Sequence, residues 1–396
     1  MKKDFPALTG YLDSLHGRYG IPACDMVIYQ GHELAYRHMA GYADAARTRP
    51  VSEDDLYNIY SATKVVTCTA VMQLVEKGRV SLADPVSKFL PSFGDMYVDT
   101  SFDLGDVAGS IRNADAAALR PARNEILVRH LLTMGAGLTY DYLSDSIREV
   151  VDATGGSATT LQGVDAIARM PLAYEPGTRW LYSFAHDVLG ALVEVAGGMR
   201  FSEYLRKNIC GPLGIASMYF TAGESESARM SQQYRYSITL DKFIPVPPAN
   251  HYALSANYES GGAGLICTAG DYALFVDALC NHGVGRTGCR ILEAGTVDMM
   301  RADWLNEAQF KDFSAMFNRP GYSYGLGVRT LVDNAHSKSP VGEFGWDGAA
   351  GAYLIVDMEN RLCAFYVQHT LDFGTVYSDI HPALRDIMYQ ELFPNG

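Results

Sequence analysis

The sequence holds no run of about 18 uncharged apolar residues, the length a helix needs to cross a bilayer, so no membrane span is expected. At the amino terminus Lys2 and Lys3 are followed by Asp4 and a mixed amphipathic stretch, without the apolar core of a secretory signal. Basic side chains are scarce. Lys and Arg number 32 against 45 Asp and Glu, for a formal net charge of −13. Nucleic-acid affinity comes largely from basic side chains displacing counterions, so a nucleic-acid partner is not expected. There is no CxxC pair, and the seven cysteines (24, 68, 210, 267, 280, 289 and 363) are odd in number, which suits reduced, mostly buried thiols in the cytoplasm better than a disulfide framework. The ten histidines form no H-x-x-H or H-E-x-x-H, so no metal site is expected either. Internal repeats and low-complexity tracts are missing as well.

What is present is apolar bulk. The chain has 396 residues, 48% hydrophobic, which excludes disorder. A chain of this size buries about 75% of its unfolded surface and needs no disulfide or metal to hold its core. At roughly 150 residues per domain, there is room for two or three domains or for one large domain with an insertion.

The order of elements points to an α+β fold. Leu8 to Tyr19 has helical spacing. Met26–Tyr29 and Leu34–Tyr42 then read as a hairpin about the polar turn Gln30-Gly31-His32. Near the other end, Tyr324–Thr330, Ala352–Val356 and Arg361–Gln368 read as strands, the last two joined by the turn Asp357-Met358-Glu359-Asn360, and Val376–Phe393 reads as a closing helix. Short turns favour antiparallel pairing. Between the ends, 62–78 and 185–197 are helical by period, and 80–180 is mostly helix and polar loop. The expected architecture is one antiparallel sheet built from both chain ends (1–80 and 255–396) and flanked by helices. A second, mostly helical lobe (81–254) would complete it, with the active site between the two.

Three stretches carry possible chemistry. Tyr60-Ser61-Ala62-Thr63-Lys64 opens a helix, and a spacing of three puts Ser61 and Lys64 on one face. A lysine against an apolar helix root loses its proton near neutral pH, and the helix N-terminus beside Ser61 favours developing negative charge, so the ingredients of an activated nucleophile are there. Glu175-Pro176-Gly177 forces a turn and delivers Tyr182 just before a helix; a phenol held near an ammonium titrates below its usual value of about 10 and can act as a base. Phe344-Gly345-Trp346-Asp347-Gly348-Ala349-Ala350-Gly351 precedes a strand, and its glycines let a backbone pass close to a ligand or a neighbouring strand. Taken singly, each has an ordinary explanation. S-x-x-K recurs by chance, Tyr182 is one of 25 tyrosines, and the glycines suit a hairpin.

Together, in this order and spacing, the three resemble the serine β-lactamase and penicillin-binding protein superfamily, and the surrounding sequence resembles its class C and family VIII esterase branch. Gly78–Val86, Arg129–Leu138 and Gly261–Thr268 are similar too, and the likeness covers about residues 8–392. The resemblance implies a β-lactamase/transpeptidase-like fold and an acyl-enzyme on Ser61. It implies that Lys64 and Tyr182 share general-base and general-acid duty, that the amides of Ser61 and Ala349 form an oxyanion hole, and that no metal or organic cofactor takes part. Phe184, Trp346, Asp347, Gly348 and Tyr140 are the expected substrate contacts, with Tyr142 beside them. Two departures bear on substrate. Phe184 stands where β-lactam-active members usually carry Asn, and Trp346-Asp347-Gly348 stands for a Lys-Thr-Gly type triplet. An aromatic for a cation and a carboxylate for a hydroxyl weaken attraction for anions, so a small neutral or cationic acyl substrate, an ester or amide, is expected. The alternatives are a β-lactamase or D-amino-acid peptidase, and an inactive binding or scaffold member of the fold. Oligomeric state is not legible.

Two further patterns fail in context. Gly321-Tyr322-Ser323-Tyr324-Gly325 fits the nucleophile elbow of α/β-hydrolases, but a strand follows it where a helix should. Gly283–Gly288 fits G-x-G-x-x-G but follows a helix and opens none.

Overall fold

The computed structural model describes residues 4–105 and 118–394. Its central sheet has seven strands: β1 (Ala23–Gln30), β2 (Glu33–Gly41), β3 (Tyr322–Tyr324), β4 (Arg329–Leu331), β5 (Phe344–Gly345), β6 (Tyr353–Asp357) and β7 (Leu362–Val367). They lie in the order β3-β4-β5-β6-β7-β1-β2, every adjacent pair antiparallel. The chain ends meet where β1 pairs with β7, from Asp25 opposite Val367 to Gln30 opposite Leu362. The β1–β2 turn is Gly31-His32, both left-handed (φ 57° and 72°), the two-residue geometry whose twist matches the strands it joins.

Both faces of the sheet are covered, and side chains divide between them with period two. Met26, Ile28, Leu362, Ala364 and Tyr366 pack under the terminal helices α1 (Pro6–Tyr19) and, at the other end of the chain, α5 (His381–Leu392). Val27, Tyr29, Cys363 and Phe365 face the interior with α2 (Thr63–Glu76), α3 (Ala185–Gly197) and α4 (Ala269–Cys280). The α2 helix is buried all round from Thr63 to Leu74, and its buried Lys64, Thr67, Thr69 and Gln73 are each hydrogen-bonded, as polar groups on a helix wrapped by others must be. It fixes the site residues at its root against the protein interior.

One expectation is corrected. Tyr324–Thr330 is not one strand: it divides into the end of β3 and the start of β4, with Gly325 N–H donating to the Val328 carbonyl across the turn (2.8 Å). The turn is forced by contact as well as by composition. Gly327 has φ 82°, and a Cβ there would sit 2.1 Å from Cys68 Sγ of α2. Gly327→Ala is therefore expected to lower the unfolding free energy by about 2–4 kcal/mol, the sum of left-handed strain and overpacking, read as a reduced urea midpoint at unchanged m. Within 81–254 the chain also forms a hairpin, Gln233–Ser237 with Lys242–Val246, which Thr370–Leu371 joins in parallel. Polar residues and Pro245 mask its alternation.

Candidate active site

Ser61 lies in a single 3₁₀ turn, Tyr60–Ala62, that leads into α2. The residue before it, Tyr60, is held at φ 46°, a strained conformation for a side chain of this size. Its phenol donates to Gln233 Oε1 (2.6 Å) and its ring meets Tyr252 edge-on, so the unexpected hairpin pins the turn that presents Ser61.

Lys64 is fully buried on α2. Its Nζ lies 2.6 Å from the Gly262 carbonyl, 3.0 Å from the Tyr140 hydroxyl and 3.2 Å from Ser61 Oγ. Burial pulls its pKa down to about 7, against the opposing pull of Asp187 and Cys68. A neutral amine has two hydrogens and one lone pair. With the hydrogens given to Gly262 and Tyr140, the lone pair is left for the Ser61 hydroxyl.

Tyr182 joins the same cluster, with Lys64 Nζ 4.5 Å from its ring centroid. Its hydroxyl accepts the Trp346 indole N–H (3.1 Å), and the two rings stack. The expectation of a lowered phenol pKa is corrected. Burial pushes it up, and the neighbouring Ser61 hydroxyl and the Trp346 indole N–H only partly oppose this. The amine meets the ring face, where it does little for a phenolate oxygen, so Tyr182 keeps its proton at neutral pH.

These groups open on a cavity of about 480 Å³. Its walls include Ser61, Tyr140, Tyr142, Tyr182, Trp346, Asp347, Gly348 and Ala349, all named from sequence, and Tyr252, Phe317, Arg319 and Tyr377, which were not. No motif spacing marks those four, because they come from separate loops and helix ends. Gly348 is a true close approach: a Cβ would lie 2.2 Å from the Ile59 carbonyl, beside the Ser61 turn, and the Tyr377 hydroxyl donates to the Gly348 carbonyl (2.9 Å).

Two of the expected substrate contacts differ. Phe184 is buried behind Tyr140 and Tyr142, with ring centroids 4.8 and 4.5 Å away, and does not line the cavity; it orients those two tyrosines. Asp347 is not a bare carboxylate facing a ligand. It pairs with Arg319 and, at 3.4 Å, with Arg329, which also bonds Glu343. Burial raises its pKa, but the two guanidiniums outweigh this and hold it below the ordinary value. The local charge is therefore close to balanced, and the expected bias toward cations loses its basis.

His186, at the start of α3, is buried beside Cys68 Sγ (3.8 Å) and not in the cavity. Ser323 is buried in β3 and donates to Asp303 (2.6 Å), which disposes of the elbow pattern.

An antiparallel sheet covered on both faces, with a serine–lysine–tyrosine cluster at the root of a buried helix, is the architecture of the β-lactamase/transpeptidase class. The family model described as Beta-lactamase matches residues 8–386, and the chain belongs to that family. It is 29% identical to Esterase EstB of Burkholderia gladioli over 415 aligned positions, covering 98% of this chain and 96% of that protein. It is also 29% identical to Acyltransferase calJ of Penicillium decumbens, over 87% of this chain and 82% of that one. In structure it is similar to unliganded simvastatin synthase (LovD) of Aspergillus terreus, with a TM-score of 0.80, 24% identity, and coverage of 99% and 100% of the two chains.

Proposed function

We propose that this protein is a serine hydrolase or acyltransferase that forms an acyl-enzyme on Ser61. The observation that carries the reading is the contact of the buried Lys64 Nζ with Ser61 Oγ (3.2 Å), its other partners being the Gly262 carbonyl and the Tyr140 hydroxyl, so that the unprotonated amine has its lone pair free for the serine. Ser61 Oγ attacks the acyl carbonyl while Lys64 takes its proton. Tyr182, protonated and beside the same hydroxyl, passes a proton to the leaving group and takes one back from the incoming water or alcohol, while Lys64 returns its own to Ser61 when the acyl group leaves. The amides of Ser61 and Ala349 stabilise the tetrahedral oxyanion; losing one such donor costs on the order of 3 kcal/mol of barrier. Water or an alcohol then takes the acyl group. The names of the relatives, an esterase and an acyltransferase, support both acceptors.

The substrate we infer is a neutral ester with an apolar or aromatic acyl group. Aromatic rings dominate the cavity, and its one lining cation, among the described residues, is already paired with Asp347. The walls come from both stretches expected to form lobes, Ser61, Trp346 and Tyr377 from one and Tyr140, Tyr182 and Tyr252 from the other, in keeping with a site between them. Six of the seven cysteines are buried and all are free, which fits a cytoplasmic location. No helix among the described residues is long and apolar enough to cross a membrane.

The test is a substrate pair. kcat/KM for a short p-nitrophenyl ester should exceed that for nitrocefin, an anionic β-lactam, by at least about 100-fold, or ~2.7 kcal/mol of differential transition-state binding. A preference for nitrocefin would overturn the substrate assignment.

A further inference from the structure

Away from the cavity, the C-terminal end of α4 meets the sheet in a cluster that the acyl-transfer chemistry does not use. Asp277 and Cys280, one turn apart on α4, face Cys363 of β7, and all three are buried. One carboxylate oxygen and the two sulfurs lie within 4.8 Å of one another. We propose that Asp277, Cys280 and Cys363 form a zinc site.

The ligand set is the first ground. Thiolates select a borderline-soft ion over magnesium or calcium, and bond lengths of about 2.3 Å to sulfur and 2.1 Å to oxygen place tetrahedral ligand atoms about 3.6–3.8 Å apart. The three ligand atoms, within 4.8 Å of one another, stand at most about 1 Å wider than that spacing, a difference within the reach of side-chain rotation.

The surroundings are the second. Asp277 Oδ2 accepts from His32 Nδ1 (2.8 Å) and Oδ1 from Asn281 Nδ2 (3.0 Å), so the carboxylate is oriented from outside as metal-binding carboxylates are. Asn281 is in turn held by Arg361, whose Nε donates to its Oδ1 (2.6 Å), and Arg286 also acts electrostatically on Asp277. Two thiolates and a carboxylate around Zn²⁺ leave one net negative charge, and these guanidiniums offset it.

Access is the third. His32, in the left-handed β1–β2 turn, keeps 27% of its side chain exposed while the ligands are covered, so rotation of one surface imidazole opens the way in. Binding forms two Zn–S bonds as two S–H bonds break, and both protons pass to the buffer. The site would tie α4 to the sheet and to the β1–β2 turn. Its sequence signal, D-x-x-C with a cysteine 83 positions beyond, fits none of the usual spacings, and histidine patterns do not reveal it.

Cobalt(II) supplies the test, with the exposed Cys289 first replaced by serine to remove an adventitious thiol. Chelator-treated Cys289→Ser protein should take up one equivalent of Co²⁺ with a near-ultraviolet sulfur-to-cobalt charge-transfer band that Zn²⁺ bleaches. The band should vanish when Cys363→Ser is added. Zn²⁺ in roughly 100-fold excess over its Kd should also raise the Tm of the Cys289→Ser chain by about 3–5 °C, a reading that holds even if the Cys363 variant does not fold. No band, a band that survives Cys363→Ser, no Tm rise, or a Cys280–Cys363 disulfide in place of metal would each overturn the proposal.

Discussion

Ser61→Ala should lower kcat/KM for a p-nitrophenyl ester by about 10⁴- to 10⁶-fold and abolish the fluorophosphonate adduct seen by intact mass. The effect is this large because the hydroxyl is the only atom in the cluster that forms the covalent intermediate; Lys64 and Tyr182 act through it. The alanine leaves the cavity walls, the oxyanion amides and the Lys64 contacts to Gly262 and Tyr140 in place, so a residual rate above that of water is expected from binding and electrostatics alone. Ser61 is only partly exposed, and its side chain contributes little to the core, so the variant should fold like the parent. An adduct that persists in Ser61→Ala would place the nucleophile elsewhere. A parent chain that never forms one would favour the scaffold reading.

The sequence makes Ser61 and Lys64 legible because both sit on one helix, where spacing alone fixes their geometry. Tyr182 and the Trp346–Ala349 segment become legible through order along the chain, by resemblance. Arg319 is different in kind. It reaches Asp347 from a separate loop after the helix Glu307–Phe317, and nothing in the local pattern around Asp347 announces a partner. Reading Asp347 as an isolated carboxylate therefore reverses its electrostatic meaning. Phe184 fails for a related reason: correspondence with a position in a motif does not fix where a side chain points, and an aromatic at the start of α3 is drawn into the interior under Tyr140 and Tyr142. In the fold, the β1–β2 and β6–β7 hairpins were readable because turn and strand signals agree. The β3–β4 turn was not, since Gly325 and Gly327 lie within a run that otherwise looks extended, and the contact that bends it comes from Cys68, more than 250 residues away.

Lys64→Met should separate activity from stability. With the general base gone, kcat/KM should fall by about 10²- to 10⁴-fold at neutral pH, and the parent's own profile should rise through an apparent pKa of about 7, because the unprotonated amine is the active form. The same depressed pKa acts on folding. The amine gives up its proton near pH 7 when folded and near 10.5 when unfolded, so between those values the unfolded chain binds more protons and the parent's stability climbs with pH. Below pH 7 the full penalty applies, on the order of 5 kcal/mol for a group wholly out of water. Methionine removes that penalty and leaves the Gly262 carbonyl without its donor, at a cost of about 1–3 kcal/mol. Lys64→Met should therefore be more stable than the parent at pH 6, and the advantage should shrink as pH rises and reverse toward pH 10. Urea midpoints of the two chains across this range decide the matter, since titrating groups remote from Lys64 cancel in the difference and only its neighbours Asp187, His186 and Cys68 shift with it. Parallel curves would mean that Lys64 keeps its proton in the folded protein, and a lysine that keeps its proton cannot take one from Ser61.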